Sequence, residues 1–226
     1  MHLCELTHYT LSPIGTGMGL TDFSFSLSAG EVCCVSTDSP DDARLFLKAL
    51  ATLVRPQSGR YVFNGGHLDF SDYRNLLFCK RNIGYVAFDT AMLSNRTLLQ
   101  NLLFMRFYFE NSLTLSLDEK TMDLCKAFGI HNKLEIPAAK LDPSDLRIAI
   151  LIRELSKSPV MLLFERPEDF VGHEKFGLFA EILNEKIVST VPVVLFSYNR
   201  EFMEKYSTKS IHISAGTILH SPAEKT

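Results

Sequence analysis

Residues 31–53, EVCCVSTDSPDDARLFLKALATL, form the segment that most constrains the fold. The apolar run at residues 32–35 has the length of a strand buried on both faces, as in the middle of a parallel sheet. A helix is predicted to begin at Pro40 after Ser39 as a plausible cap, because proline suits the first helical position and serine the cap. The residues predicted to pack this helix are Leu45, Leu47, Ala49 and Leu53. A buried strand, a tight loop and an amphipathic helix together predict an α/β unit.

Strands and helices alternate along the rest of the chain, which predicts an α/β fold. The predicted strands are residues 2–10 and 22–28, an antiparallel pair, and residues 61–63, 82–87, 160–164, 191–196, 211–214 and 217–220. The predicted helices are residues 97–109, a helix from a capping box of Ser116 and Glu119 to Gly129, and residues 144–157 and 173–186. We expect one domain, residues 1–226: an α/β core with an antiparallel β subdomain (1–97 and 157–226) and an inserted helical subdomain (98–156).

The composition limits the classes of function. With 22% charged residues and a net charge of −3, the chain has no basic stripe that would indicate nucleic-acid binding. The five cysteines lack the paired spacing of a disulfide scaffold, and Cys33 and Cys34 are expected to point to opposite faces of a buried strand. The seven histidines show no metal-ligand spacing, so no metal site is predicted. Without a secretory signal or an apolar run of ~20 residues, we predict a cytoplasmic domain.

The loop between the strand and the helix resembles in length the phosphate-binding loop of P-loop ATPases, GxxGxGK[ST]. In that motif backbone N–H groups cradle phosphates and the lysine neutralises them. The positions of its three glycines, its lysine and its magnesium-binding hydroxyl are occupied here by Thr37, Pro40, Asp42, Ala43 and Arg44. Asp38, Asp41 and Asp42 place negative charge where a triphosphate needs positive charge, and each carboxylate about 4 Å from a phosphate costs up to roughly 4 kcal/mol. We expect an ordinary strand–helix turn, with a divergent anion site at Arg44 as the alternative.

Six further segments match, in chain order, motifs that occur together in one protein family. KALATLVRPQSGRYVFNG is similar to the stretch after its phosphate loop, and TLLQNLLF to its TVxENL segment. RNIGYVAFD resembles RxIGYVFQD with Phe88 at the Q-loop glutamine, and VVLFSYNRE resembles the H-loop strand with Tyr198 at the histidine. LLFERPEDFVG resembles LLLDEPTSGLD, with Glu165 at the Walker B aspartate and Arg166 at the catalytic glutamate. LDPSDLRIAILIREL resembles LSGGQxxRVAIARAL, with the signature at Leu141, Asp142, Pro143, Ser144 and Asp145.

Together these segments resemble the nucleotide-binding subunit of an ABC transporter over nearly the whole chain. The phrase DFVGHE at residues 169–174 is also similar to the FVGxD of lipid-asymmetry transporter ATPases, across a two-residue insertion. The resemblance implies an ABC-type P-loop NTPase-like core with vestigial motif positions and no cofactor. It implies a catalytically inactive subunit that neither hydrolyses ATP nor gains stability from Mg-ATP, since phosphoryl transfer depends on the groups that are replaced.

Two of the replaced positions carry charged side chains with their own expectations. Arg166 stays protonated and cannot act as a base, so it is expected to pair with Asp169 or Glu168. Glu165 is expected to be an exposed acid that ends a strand, with a water-bound cation as the alternative.

The resemblance also implies partners. These are an ABC-type ATPase subunit, in a hetero- or homodimer, and a transmembrane permease that holds the chain at the cytoplasmic face of the inner membrane. The predicted partner-binding residues are Phe88, Met92 and Leu93, in an apolar surface that also includes Ala91 and Leu98. For Leu102, Phe104 and Phe107 in the next helix, packing inside the helical subdomain is the alternative. Two other functions stay open: a divergent ATP-binding or ATP-hydrolysing subunit, and a cytoplasmic interaction domain without a transporter.

Overall fold

The computed structural model describes residues 2–110, 116–184 and 191–221. Its first elements are β1 (His2–Leu11), β2 (Leu20–Ser28), β3 (Val32–Thr37), α1 (Pro40–Leu50), β4 (Ser58–Phe63), β5 (Gly66–His67), α2 (Leu77–Asn82) and β6 (Ile83–Val86). The next are α3 (Leu98–Glu110), α4 (Glu119–Ala127), α5 (Pro143–Leu155), β7 (Met161–Glu165), α6 (Pro167–Val171), α7 (His173–Ile182), β8 (Val193–Phe196), α8 (Arg200–Tyr206), β9 (Lys209–Ser214) and β10 (Thr217–Ser221). Each predicted strand overlaps one of these strands.

The strands form two sheets. An antiparallel sheet of four strands has the order β2-β1-β4-β5, and a sheet of six strands has the order β10-β9-β3-β8-β7-β6. In the larger sheet β3, β6, β7 and β8 all run parallel. Because parallel neighbours need crossover connections, the helices between these strands pack on the faces of the sheet. The predicted α/β class with an antiparallel β subdomain is confirmed.

β3 faces a different hydrophobic cluster on each side. Cys33 and Val35 belong to a cluster that includes α1 and the antiparallel sheet. Val32 and Cys34 belong to a second cluster that includes α3, α5 and α7. All four side chains are almost completely buried. The prediction that Cys33 and Cys34 point to opposite faces is therefore confirmed.

α1 begins at Pro40 as predicted, but two details differ. Ser39 has the extended backbone of an N-cap, yet its side chain makes no capping hydrogen bond. Leu45, Leu47 and Ala49 are buried, whereas Leu53 is 53% exposed. The helix ends at Leu50, and Thr52 follows in a left-handed conformation (φ 58), so helical spacing no longer places Leu53 on the core face.

The tight turn between β4 and β5 has the form that the sequence predicts. Asn64 (φ 49) and Gly65 (φ 78) both have positive φ, as a two-residue hairpin turn requires, and Phe63 pairs with Gly66 across it.

Several helical details differ from the prediction. α4 begins at Glu119, and its N-cap is Asp118, whose Oδ1 accepts a hydrogen bond from Thr121 N (2.8 Å), so the predicted cap at Ser116 is wrong. α2 and α8 were not predicted, because helices of six and seven residues leave little periodicity to detect. Leu98 was predicted to be part of an exposed apolar surface, but it is buried. It is the first residue of α3 and packs inside the second cluster. The predicted helix end at Lys186 lies outside the described residues.

Within the described part of the chain, no helix has both the length and the apolar character needed to cross a membrane.

Candidate functional site

The carboxyl ends of β3, β6, β7 and β8 meet at one edge of the larger sheet. Ligands of open α/β sheets bind outside this edge, because loops and helix N-termini converge there. The edge brings together the β3–α1 loop, Phe88 after β6, Glu165 and Arg166 at the end of β7, and Tyr198 after β8. These are most of the motif positions that the sequence indicated.

The polar groups of the β3–α1 loop form hydrogen bonds with one another. Asp42 N (3.1 Å) and Ala43 N (3.3 Å) both donate to the carbonyl oxygen of Ser39. Ser39 N donates to Thr37 Oγ1 (3.0 Å), and the same hydroxyl donates back to Ser39 O (2.8 Å). Pro40 has no N–H, and Ala43 is fully buried. The amides at the start of α1 are therefore partnered inside the loop, which is the ordinary strand–helix turn that we expected.

Asp41 and Asp42 both point from the first turn of α1 toward the loop before β2. Asp41 Oδ2 accepts from Thr16 N (2.8 Å) and from Thr16 Oγ1 (3.0 Å). These hydrogen bonds, the backbone one first, lower the pKa of the Asp41 carboxyl. The Asp42 carboxylate is only 2% exposed and accepts from Met18 N (3.2 Å) and Gly19 N (3.0 Å).

Glu165 is buried, not exposed as the sequence suggested. Its side chain is 2% exposed, accepts from Phe88 N (3.0 Å) and also accepts from the hydroxyl of Tyr85. Burial, and then the nearby Glu165 charge, raise the pKa of Tyr85, so the phenol stays a donor. The reason for the difference is that β7 lies between β6 and β8, so its last residue is still inside the sheet.

Arg44 connects the β3–α1 loop to Glu165. Its Nε lies 3.5 Å from Glu165 Oε2, and its Nη1 lies 3.6 Å from Asp41 Oδ1. Nε is buried and has no hydrogen-bond partner among the described residues. Arg44 therefore places a guanidinium between two carboxylates at the edge of the sheet.

Arg166 lies between two aromatic rings. It has a left-handed backbone (φ 49) and pairs with Asp169, as predicted. Its guanidinium lies 5.0 Å from the centre of the Phe88 ring and 5.5 Å from that of Tyr198, within the range of cation–π attraction. Phe88 and Tyr198 stay 39% and 52% exposed. The two rings therefore flank the Arg166 guanidinium and both stay partly exposed.

The signature positions lie at the start of α5. Asp142 is the N-cap residue without a side-chain capping bond, Pro143 opens the helix, and Asp145 is buried and pairs with Lys133 Nζ at 2.5 Å. The hydrogen bond from Lys133 to Asp145 raises the pKa of that lysine. Across residues 2–110, 116–184 and 191–221, no hydrogen bond or ion pair joins Ser144 to Arg44 or Glu165.

The predicted partner-binding residues divide into two environments. Leu93 is 44% exposed, and its backbone is held by the buried side chain of Asn101, which accepts from Leu93 N (2.8 Å) and donates to Leu93 O (3.0 Å). Met92 is half-buried and packs against the second cluster. Met92 also lines a cavity of about 310 Å³ together with Pro143 at the start of α5. Phe88, in contrast, lies beside the guanidinium of Arg166.

Comparisons with known proteins identify the architecture. The arginine transport ATP-binding protein ArtM of Bacillus subtilis is 21% identical over 200 residues, which cover 88% of this chain and 83% of ArtM. The molybdate/tungstate import ATP-binding protein WtpC of Methanocaldococcus jannaschii is 25% identical over 84% of this chain and 61% of WtpC. No protein-family model matches the chain.

Solved structures match over nearly the whole chain. The ATP-binding cassette MJ0796, solved as a dimer bound to ADP and Pi, superposes with a TM-score of 0.81 at 15% identity and covers 99% of this chain and 100% of that one. The chain has the fold of an ABC transporter ATP-binding cassette. The cassette cbiO1 of Clostridium perfringens, part of the transporter complex cbiONQ, has a TM-score of 0.76 at 17% identity and covers 99% of this chain and 90% of cbiO1.

These comparisons correct one prediction about the cassette. We expected a chain that is not an enzyme, whereas its relatives are named ATP-binding proteins of transport systems. That family points to an ATP-hydrolysing enzyme, so the prediction is wrong, and catalytic inactivity has no support. Replaced letters at single motif positions do not decide the activity, because the relatives are similar over more than four fifths of this chain.

Proposed function

We propose that the chain is a diverged ATP-binding subunit of an ABC transporter. The strongest support is the cassette fold, which matches an ATP-binding cassette over 99% of this chain. The relatives named as ATP-binding proteins of import systems support the same class of function. In this proposal the chain pairs with a second ATP-binding subunit and works on a transmembrane permease at the cytoplasmic face of the membrane. The lipid-asymmetry subtype stays a prediction from residues 169–174.

The residues at the carboxyl edge suggest how Mg-ATP would be held. Arg44 carries the guanidinium that faces Glu165 at this edge, so it can donate to a phosphate oxygen in place of the usual lysine. Glu165 has a carboxylate, the kind of ligand that binds hydrated Mg²⁺ in proteins. Bound Mg²⁺ would neutralise phosphate charge. Arg44 and Glu165 must then give up their mutual contact at 3.5 Å, which is why we expect weaker binding than in a cassette with the full glycine loop.

The first test is a melting curve with and without Mg-ATP. A ligand that binds only the folded state stabilises it by about 2.7 kcal/mol at a hundredfold excess over its Kd, so a clear upward shift is expected at millimolar Mg-ATP. Arg44→Ala should reduce the shift, because it removes the cation nearest to Glu165. Arg55→Ala, an exposed arginine after α1, is the matched control and should keep it. Identical melting temperatures with and without Mg-ATP, together with no heat of binding by calorimetry, would overturn the proposal.

A further inference from the structure

A cavity of about 580 Å³ is lined by residues from the ends of β7 and β8 and from the start of α7. β7 and β8 are parallel neighbours in the larger sheet, so the residues that follow their carboxyl ends lie at the same edge. The volume is that of a typical small-molecule site. The side chains that line it include those of Arg166, Asp169, His173, Phe176, Tyr198 and Asn199.

The carboxylates and the guanidinium of this cavity already have partners in the chain itself. Asp169 pairs with Arg166. Glu168, which also lines the cavity, accepts from Tyr198 N (2.7 Å) with one oxygen and from Ser197 Oγ (2.9 Å) with the other. A charged ligand would have to break one of these contacts, and each group left without its partner costs free energy. The cavity is therefore better suited to an uncharged ligand.

The groups that remain available are aromatic rings and hydrogen-bonding side chains. The ring of Tyr198 is exposed, and that of Phe176 is half-buried. Asn199 Oδ1 accepts from Phe202 N (2.9 Å), which leaves its Nδ2 as a donor without an acceptor among the residues that the structure describes. His173 is exposed and makes no side-chain hydrogen bond or ion pair within that same part of the chain. The cavity thus offers a ring for stacking and polar atoms for the edge of a ligand.

We propose that this cavity binds a flat, uncharged heteroaromatic ring of the kind found in nucleobases. The ring stacks on Tyr198, because every base presents a π-face to which an aromatic side chain can bind. Asn199 Nδ2 donates to a ring nitrogen or carbonyl oxygen at its edge, and the imidazole of His173 provides a second polar contact. The proposal involves neither Arg44 nor Glu165, so it does not depend on the proposed function. The base belongs either to a free nucleoside or to a nucleotide, and the experiment distinguishes these two sources.

Calorimetry with adenosine, which has a base and no phosphate, tests the stacking directly. The wild type should bind adenosine at millimolar concentration. Tyr198→Ala should weaken this binding about fivefold or more, the lower end of what stacking a base on an aromatic side chain contributes. Tyr198→Phe keeps the ring and should bind like the wild type. Tyr73→Ala, at an exposed tyrosine that does not line the cavity, is the matched control and should also leave the affinity unchanged.

Asn199→Asp tests the contact at the edge of the ring without removing a helix cap. Aspartate keeps the oxygen that accepts from Phe202 N and loses the NH₂ donor. Residue 199 is the N-cap of α8, a position where a carboxylate is favourable. The melting temperature should therefore stay close to that of the wild type, while adenosine binds about two- to tenfold more weakly, as expected for the loss of one hydrogen bond.

The proposal is wrong if the wild type binds none of adenosine, cytidine and uridine at millimolar concentration, or if Tyr198→Ala binds adenosine as well as the wild type does. Mg-ATP and Mg-triphosphate, which has no base, distinguish the two sources of the ring. If Tyr198→Ala weakens Mg-ATP binding and leaves Mg-triphosphate binding unchanged, the ring belongs to the nucleotide of the proposed function. Unchanged Mg-ATP binding indicates a separate nucleoside site. Adenosine binding without any Mg-ATP binding overturns the proposed function and supports this site.

Discussion

The hydroxyl of Tyr85 donates to Glu165, whose carboxylate is 2% exposed and lies at the end of a central strand. Tyr85→Phe removes one of the donors to this carboxylate. We expect a loss of about 1–3 kcal/mol in the free energy of unfolding, the usual result of leaving a buried polar group short of a partner. Urea denaturation measures it. Tyr73→Phe, at an exposed tyrosine, is the control. An equal, small effect of the two substitutions would show that Glu165 does not need the Tyr85 hydroxyl.

Asp41 makes the stability of the protein depend on pH in a defined direction. Its hydrogen bonds from Thr16 lower the pKa of the carboxyl below its ordinary 3.8. A carboxyl whose pKa is lower in the folded state than in the unfolded state stabilises the folded state at every pH above the unfolded-state pKa. This contribution is lost as the pH falls through the folded-state pKa. The difference in unfolding free energy between the wild type and Asp41→Asn should therefore be constant near neutral pH and shrink below pH 3.8. A difference that grows on acidification would contradict the role assigned to Thr16.

Among the connecting segments, the one from β6 to α3 carries the predicted docking residues. Leu93 projects from it, while its backbone is fixed by the buried Asn101. We expect Leu93→Asp to abolish co-purification with a membrane permease and to change the melting temperature little, because the side chain is already 44% exposed. Leu53→Asp, at another exposed leucine, should keep the permease. Retention of the permease by Leu93→Asp would place the docking surface elsewhere.

The elements differ in how far the sequence predicts them. β3 and α1 can be predicted from local sequence alone: β3 is a continuous apolar run, and α1 has its buried residues at helical spacing. α2 and α8 are too short for such a pattern. The hydrogen bonds that Asp41 and Asp42 accept come from residues more than 20 positions away, for example from Gly19 to Asp42, and no local spacing indicates them. The prediction of an exposed acid at Glu165 is wrong because the sequence of a strand does not reveal which strands lie on either side of it.

At the scale of the whole fold, the cysteine thiols lie away from solvent. All five cysteines are free and buried. Burial raises the pKa of the Cys4 and Cys34 thiols to about 12, so almost no reactive thiolate exists at neutral pH. We expect fewer than one thiol per chain to react with Ellman's reagent in native buffer and all five to react in guanidinium chloride. Stoichiometric labelling of one cysteine in the native protein would reveal local opening near that residue.

β3 lies between two hydrophobic clusters, and this position restricts how its sequence can change. Its successive side chains enter two different hydrophobic clusters, with Cys33 on one side and Cys34 on the other. A single inserted or deleted residue within Val32–Thr37 would send every later side chain of the strand to the wrong cluster, because the strand repeats every two residues. Substitutions of similar size remain tolerable there, whereas changes of length do not. In an evolving lineage, gaps should therefore collect in the loops and be absent from this strand, even where almost every letter of it has changed.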